Sequence, residues 1–156
     1  MSNGVPRYEQ MGDRINERKV ADFLGIVWKE QPIPTREYDG VDFAMVQYST
    51  EAKAAQTVRL LEVKCRDRFM PFYPDFRISN RKWETLCGHA LQLGLTTTLA
   101  VYDKSTGNVW YVHAVAGNRQ WVAEAFGRGD RPDDPNATEQ AAVIPFHAFV
   151  HAGMIR

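Results

Sequence analysis

The sequence predicts an α/β protein with a central sheet flanked by helices, and two observations lead to this fold class. Apolar residues at helical spacing alternate along the chain with short apolar runs, in the order helix, three strands, helix, two strands. The 156 residues, of which 44% are hydrophobic, are also enough to fill a single core. We therefore expect one domain over residues 1–156, with its core at about 13–115 and a C-terminal extension at 116–156.

The first half of the chain is predicted to contain a helix and three strands. The helix begins at about Asp13, a suitable N-cap, and runs to Leu24, with Gly25 ending it. The strands are expected at Ile26–Gln31, Val41–Tyr48 and Thr57–Cys65. Two prolines stop the first of these strands, and the polar segment 49–56 connects the second to the third.

The second half is predicted to contain a helix, a hairpin and a returning apolar segment. A loop at Arg66–Arg77 precedes a helix at Asn80–Leu93, which Ser79 caps and Gly94 ends. The helix residues expected to face the core are Trp83, Leu86, Cys87, Ala90 and Leu91. After the helix we expect a hairpin of Thr97–Tyr102 and Val109–Val115, a polar and flexible segment at 127–139, and an apolar segment at 141–150 that packs on the body.

Composition and charge limit the classes of function. The chain has 19 basic and 19 acidic residues, so nucleic-acid binding must come from a local patch and not from net charge. It has no apolar run of about 18 residues and no apolar stretch at Met1–Gly12, which argues against a membrane span and a signal peptide. Cys65 and Cys87 are not spaced as metal ligands and are expected to be reduced thiols. A soluble, cytoplasmic protein is therefore predicted.

The strongest candidate site contains Asp42, Glu62 and Lys64. Because side chains alternate along a strand, Glu62 and Lys64 lie on one face of the third strand, where two opposite charges in an apolar run need a reason. If this strand forms an antiparallel hairpin with the previous one, pairing Asp42 with Glu62 centres the turn on Ala52, in the polar connection. Carboxylates about 5 Å apart repel each other unless a cation lies between them. Mg²⁺ suits one or two carboxylates with waters and a substrate phosphate.

A further acid, Glu17, lies on the predicted first helix. At about 100° per residue it falls among Val20, Ala21 and Leu24 on the apolar face. An acid at such a position is costly unless it has a partner. Glu17 therefore either belongs to the site or reaches water at a partly open face.

These residues resemble the pattern of the PD-(D/E)XK nuclease superfamily, which includes Holliday-junction resolvases, restriction endonucleases and phage exonucleases. The resemblance rests on Asp42 and the triplet Glu62-Val63-Lys64 with a helix before and after them, and on the stretch Asp75–Leu86 that leads into the second helix. It covers residues from about 13 to 102. It implies the restriction-endonuclease-like αβββαβ core, with a central mixed sheet flanked by helices.

The resemblance also implies a role for each matching strand residue. Asp42 and Glu62 would be metal ligands together with the Val63 carbonyl, and Lys64 would position or activate the attacking water. The cofactor would be Mg²⁺, with Mn²⁺ as a substitute.

Two helical positions are carried over in the same way, and one strand position has a competitor. Glu17 matches the helical acid of many resolvase-like members, and Lys82, or else Arg81, matches the basic residue that the second helix often contributes. The sequence departs from the superfamily pattern because no proline precedes Asp42. Asp39 is the competing acid, and Asp42 is preferred because it begins the apolar run and fits the hairpin pairing, although a bulge could reverse this choice.

A local basic patch is predicted despite the neutral chain. The segment 64–82 contains six basic residues against two acidic ones. The candidate DNA-binding residues are Arg66, Arg68, Arg77, Arg81 and Lys82. The interleaved aromatics Phe69, Phe72, Tyr73 and Phe76 either stack on bases or, as we expect for most of them, fill the core.

The sequence therefore predicts a Mg²⁺-dependent deoxyribonuclease, an endonuclease or exonuclease that is structure-specific like a Holliday-junction resolvase. Resolvase-like members are dimers, so we expect a homodimer. Two rival functions are a non-catalytic nucleic-acid-binding module of the same fold and an α/β interaction protein whose charges form a surface network. The DNA structure cut, the choice between DNA and RNA and the number of metal ions stay open.

Overall fold

The fold is built from two helices and nine strands among the residues that the computed structural model describes, which are 7–69, 73–115, 122–127 and 138–156. The elements are α1 (Arg7–Trp28), β1 (Gln31–Pro34), β2 (Phe43–Ser49), β3 (Ala54–Arg66), β4 (Asp75–Ser79), α2 (Asn80–Leu93), β5 (Thr96–Asp103), β6 (Asn108–His113), β7 (Val122–Gly127), β8 (Thr138–Pro145) and β9 (Val150–Met154). Six strands form one sheet in the order β1-β2-β3-β5-β6-β9, and β4, β8 and β7 form a smaller sheet. Because β3 and β5 are parallel while their other neighbours are antiparallel, the predicted central mixed sheet is confirmed.

The two helices bury opposite faces of the large sheet. On one face, Val20 and Leu24 of α1 are fully buried in a cluster that includes Leu61. On the other face, Trp83 and Leu86 of α2 are fully buried in a second cluster. This arrangement places alternate residues of β3 beneath α1 and beneath α2.

The helix α2 is confirmed with both of its predicted caps. The Ser79 hydroxyl accepts a hydrogen bond from the Lys82 amide, and Gly94 adopts the left-handed conformation with φ of 65°. The expectation that Leu91 faces the core is wrong, since its side chain is 66% exposed. The buried part of α2 is confined to Trp83, Leu86 and Cys87.

The segment after Leu24 differs from the prediction. The first helix continues through Gly25 to Trp28, so the strand expected at 26–31 is wrong at its start. Gly25 allows a close approach of the returning chain, because a Cβ there would lie 2.6 Å from the Glu30 carbonyl oxygen. The prolines that were expected to stop the strand lie inside β1, which tolerates them because it is an edge strand of the large sheet.

The hairpin of β2 and β3 has the predicted register at the end that carries the candidate site. Phe43 pairs with Leu61 and Ala44 with Leu60, so the register continued by one residue places Asp42 opposite Glu62. Between Met45 and Val46 an irregularity shifts the register by one residue, so the pairs from Val46 to the turn follow a different register. The bulge therefore lies beyond the site and leaves the predicted opposition intact.

The loop predicted at 66–77 contains the start of β4. This strand pairs with β8 of the small sheet, and its Phe76 and Ile78 side chains are buried. The predicted return of the apolar segment 141–150 is confirmed, since it supplies most of β8 and the start of β9. Most of the polar segment 127–139 lies outside the described residues. No helix in the described part of the chain has the length and apolar character needed to cross a membrane.

Candidate active site

The candidate site lies where β2 begins and the longer β3 runs on past it. Asp42 immediately precedes β2, and its amide donates to the Leu61 carbonyl over 2.9 Å. One oxygen of its carboxylate, Oδ2, accepts a hydrogen bond of 2.8 Å from the Val63 amide. Because the amide and carbonyl of one residue in an extended strand point to the same side, the Val63 carbonyl also faces Asp42.

Glu62 is buried and contacts two amines. Its side chain lies on the face of β3 that α2 covers, and the residue is only 3% exposed. Its Oε2 atom is 2.7 Å from the Nζ of Lys82 on α2 and 3.7 Å from the Nζ of Lys64 on β3. A hydrogen bond links the Glu62 and Asp42 side chains. The structure thus brings Asp42, Glu62, Lys64 and Lys82 together.

The pKa shifts follow from this crowding of charged groups. Burial, the hydrogen bond to Asp42 and the charge of Asp42 raise the pKa of Glu62. Burial lowers the pKa of Lys64, and the neighbouring charge of Lys82 acts in the same direction. Burial acts to lower the pKa of Lys82 as well, but the charges of Glu62 and Asp42 and the hydrogen bonds to Glu62 and Lys64 together raise it. Glu62 is therefore harder to ionise than an exposed glutamate, and a bound cation would favour its charged form.

Glu17 faces the same site from α1. Burial raises the pKa of Glu17 to about 7, and the charges of Asp42 and Asp13 add to this effect. The charge of Lys64 acts in the opposite direction, so Glu17 lies within electrostatic reach of both strands' site residues. Glu17 and Asp42 line one cleft of about 800 Å³. The two helices therefore contribute side chains from both sides of the sheet.

The donor set fits a small divalent cation that keeps some of its water. Within the described ranges there is no group of three or more histidine, cysteine or acidic residues arranged to hold a metal. Mg²⁺ does not require three such protein side chains, because one or two carboxylates suffice when waters and substrate phosphate complete its coordination shell. Asp42, Glu62 and the Val63 carbonyl supply such a set, and the Lys82 ammonium already places positive charge against Glu62.

The geometry favours Asp42 over its competitor Asp39. Asp39 is an exposed residue, and its carbonyl accepts a hydrogen bond of 2.8 Å from His89 Nε2. Asp42, in contrast, forms hydrogen bonds to β3 through both its backbone amide and its carboxylate.

The predicted basic patch is divided into two groups. Arg66, Arg68 and Arg77 line one cavity, whereas Arg81 and Lys82 line another at the start of α2. Of the interleaved aromatics, Phe69 and Phe76 are core residues and Tyr73 is 55% exposed, while Phe72 is outside the described residues. The predicted basic residues therefore lie in two places, and their role in DNA binding stays a prediction.

Three arginines near the site were missed by the sequence reasoning. Arg14 and Arg18 of α1 and Arg36 before β2 line the same cleft as Glu17 and Asp42. The Arg18 guanidinium also pairs with Asp22 at 3.0 Å. The helical spacing of Arg14 and Arg18 around Glu17 was a usable signal, since residues three and four apart share a helix face.

The family of the chain follows from its sequence. The family described as "Phage putative PDDEXK endonuclease" matches residues 4–152. The chain therefore belongs to this family of PD-(D/E)XK nucleases, as the resemblance implied. No curated protein matches the chain. Among solved structures it is similar to Hjc, a Holliday junction resolvase of the archaeal hyperthermophile Archaeoglobus fulgidus, with a TM-score of 0.47 and 14% identity over 84% of this chain and 94% of Hjc.

Proposed function

We propose that this protein is a divalent-metal-dependent DNA endonuclease that hydrolyses phosphodiester bonds at the site formed by Asp42, Glu62 and Lys64. Membership of the family supports nuclease chemistry. The observation that carries the proposal is the contact network in which Asp42 and Lys64 both meet the buried Glu62 carboxyl. An interior strand has no packing reason to bury such a cluster.

Asp42, Glu62 and the Val63 carbonyl would hold the cation, for which Mg²⁺ is the natural candidate and Mn²⁺ a substitute. When bound, the ion supplies Lewis acidity that lowers the pKa of a water and offsets phosphate charge. The chain's own hydrogen bond from the Val63 amide keeps the Asp42 carboxylate oriented for this role.

Lys64 is placed to act on the attacking water and on the oxygens of the phosphate that is cleaved. Its side chain is 28% exposed, so it reaches the solvent side of the buried Glu62. Burial lowers its pKa, so Lys64 releases a proton more readily than an exposed lysine does. In its charged form it would stabilise negative charge that develops on the phosphate.

Lys82 and Glu17 are proposed as supporting groups at the same site. Lys82 holds the Glu62 carboxylate at 2.7 Å and fixes its direction. Glu17, with a pKa raised to about 7 mainly by burial, is placed to exchange a proton with water in the cleft.

Basic residues on both sides of the cleft would receive the DNA backbone. Arg14 and Arg36 lie in the cleft itself, and Arg81 borders it at the start of α2. Neutralising phosphates with such residues makes DNA binding sensitive to salt. The chain can therefore bind DNA locally although its formal net charge is zero.

The test is incubation of the protein with branched, duplex and single-stranded DNA in Mg²⁺, Mn²⁺ or EDTA. We expect cleavage with either metal, none in EDTA, and a rate lower by about 100-fold or more in Lys64→Ala. Lys19→Ala is the matched control, because Lys19 is an exposed lysine of α1. We expect this variant to cleave DNA at the wild-type rate. Cleavage that survives both EDTA and Lys64→Ala contradicts the proposal.

The same experiment separates the rival functions. A non-catalytic nucleic-acid-binding module predicts salt-sensitive DNA binding without cleavage under any metal condition. An interaction protein with a surface charge network predicts neither DNA binding nor DNA cleavage.

The cytoplasmic location and the homodimer stay predictions of the sequence, and sedimentation of the purified protein tests the dimer.

A further inference from the structure

A second cavity, which the proposed chemistry does not use, lies beside the end of β3. Its volume is about 730 Å³, within the range of about 300–1,000 Å³ that is typical of small-ligand sites. Arg66, Tyr73 and Phe76 are among its lining residues. We refer to it as the Arg66 cavity.

The Arg66 cavity follows the candidate active site along one face of the sheet. Arg66 lies two residues after Lys64, so both side chains leave β3 on the same face. Two residues advance about 7 Å along a strand. This step is comparable to the length of one nucleotide in an extended single strand, so the neighbour of a nucleotide held at Lys64 can reach the cavity.

The charges of the Arg66 cavity favour a phosphate. The Asp75 carboxylate pairs with Arg77 at 3.7 Å, and the Asp67 carboxylate pairs with Lys104 at 3.2 Å. In the described part of the chain no carboxylate lies within the 4.0 Å ion-pair distance of Arg66, whose guanidinium donates instead to the Cys65 carbonyl over 3.0 Å. Arg66 therefore has no carboxylate ion-pair partner in the described part of the chain, and its charge is available to a ligand.

The aromatic groups of the Arg66 cavity favour a base. The ring of Phe76 is buried and lies 4.9 Å beneath the Arg66 guanidinium, which holds this cation in place. Tyr73 is 55% exposed, so its ring is open to a partner. An exposed aromatic ring beside a basic group is the combination that binds single-stranded nucleic acids, because every base offers a π-face for stacking.

We propose that the Arg66 cavity binds an unpaired nucleotide of the DNA substrate, with the base stacked against Tyr73 and the phosphate at Arg66. The inference rests on the proposed nuclease function and names its substrate class. A base inside a duplex must be unstacked and unpaired before it can enter a cavity, whereas an unpaired base is free of that cost. The protein therefore selects DNA that carries an unpaired nucleotide next to the cleavage position.

Binding in EDTA tests the cavity without cleavage. Fluorescence anisotropy compares a fully paired duplex with the same duplex carrying a short single-stranded flap, and 2-aminopurine in the flap reports stacking. We expect the wild type to bind the flapped DNA at least about tenfold more tightly than the paired duplex. Tyr73→Ala should bind the flapped DNA about 5- to 100-fold more weakly than the wild type does. Tyr48→Ala is the matched control, since Tyr48 is 64% exposed and lies far along β2 from the site.

Arg66→Gln provides a second variant, which should weaken binding of the flapped DNA and reduce its salt dependence. Circular dichroism confirms folding of each variant. Equal affinity of the wild type for the two DNAs, or a flap preference that persists in both Tyr73→Ala and Arg66→Gln, overturns the cavity proposal. Metal-dependent cleavage that Lys64→Ala abolishes would still uphold the nuclease in that case. A flap preference without any cleavage would uphold the cavity and overturn the nuclease.

Discussion

The ammonium group of Lys82 lies 2.7 Å from the Oε2 atom of Glu62 and joins the second helix to the central strand of the site. Glu62 is almost entirely buried and adjoins Asp42, so its carboxylate is removed from water next to a second acidic group. Burying a carboxylate is costly unless a positive group compensates it. Lys82, assisted by Lys64 at 3.7 Å, provides that compensation.

Removal of Lys82 should therefore destabilise the metal-free protein. We expect Lys82→Ala to lower the free energy of unfolding by about 1–2 kcal/mol in EDTA, less than for a fully buried pair because Lys82 is 33% exposed and Lys64 stays in place. Mg²⁺ should restore more stability to this variant than it adds to the wild type, since a bound cation replaces the lost charge. Urea unfolding with and without Mg²⁺ measures both effects. Identical responses of the variant and the wild type to Mg²⁺ would contradict this account.

Metal affinity should separate the two candidate aspartates. Asp42→Asn and Glu62→Gln are each expected to weaken Mn²⁺ binding by about tenfold or more, because each removes an anionic ligand. Asp39→Asn serves as the matched control and should bind like the wild type, since Asp39 has no hydrogen bond to β3. Isothermal titration calorimetry measures the three affinities. A loss in Asp39→Asn with none in Asp42→Asn would reverse the assignment.

The raised pKa of Glu17 predicts a pH dependence of stability. Because the folded-state pKa is about 7, above the ordinary glutamate value of 4.5, the folded protein binds a proton more tightly than the unfolded chain. This contribution to stability is complete below about pH 4.5 and is lost as the pH rises through about 7. Glu17→Gln should therefore raise the free energy of unfolding at alkaline pH, by about 1 kcal/mol after allowance for solvent screening.

Chemical denaturation of the metal-free protein at several pH values checks this prediction. The gain from Glu17→Gln should shrink as the pH falls from about 8 to about 5, because wild-type Glu17 then takes up its proton. Glu84→Gln, on the exposed face of α2, is the control and should show no such trend. A gain that is constant over the whole pH range would show that Glu17 does not titrate in this window.

Two helical glycines should respond to alanine in opposite ways. A Cβ at Gly25 would lie 2.6 Å from the Glu30 carbonyl oxygen, so Gly25→Ala must displace the backbone and should cost about 2 kcal/mol of stability. At Gly88 nothing lies within 4 Å of the added Cβ, so Gly88→Ala should gain up to about 1 kcal/mol from helix propensity. Thermal unfolding compares the pair. Equal effects at the two positions would mean that the close approach to Glu30 is not maintained in solution.

Local signals predicted the elements that bury one regular apolar face. The caps of α2, the strands β2 and β3 and the hairpin of β5 and β6 were all recognisable from neighbouring residues. Gly25 was taken as a helix end because glycine usually is one, whereas its actual role depends on the return of Glu30. The strand β4 was missed because its partner β8 lies more than 60 residues away in the sequence.

The sequence by itself determined that Glu62 and Lys64 share a face of β3, since alternation in an extended strand is a local property of the backbone. It also determined the pairing that brings Asp42 to this strand, because a short hairpin leaves little freedom of register. Only the tertiary structure decided that Lys82 contacts Glu62 and that Glu17 lines a cleft with Asp42. It also decided that the arginines at 66, 68 and 77 line a separate cavity. Those contacts depend on how α1, α2 and the small sheet pack on the central sheet, which is set by burial between residues far apart in the chain.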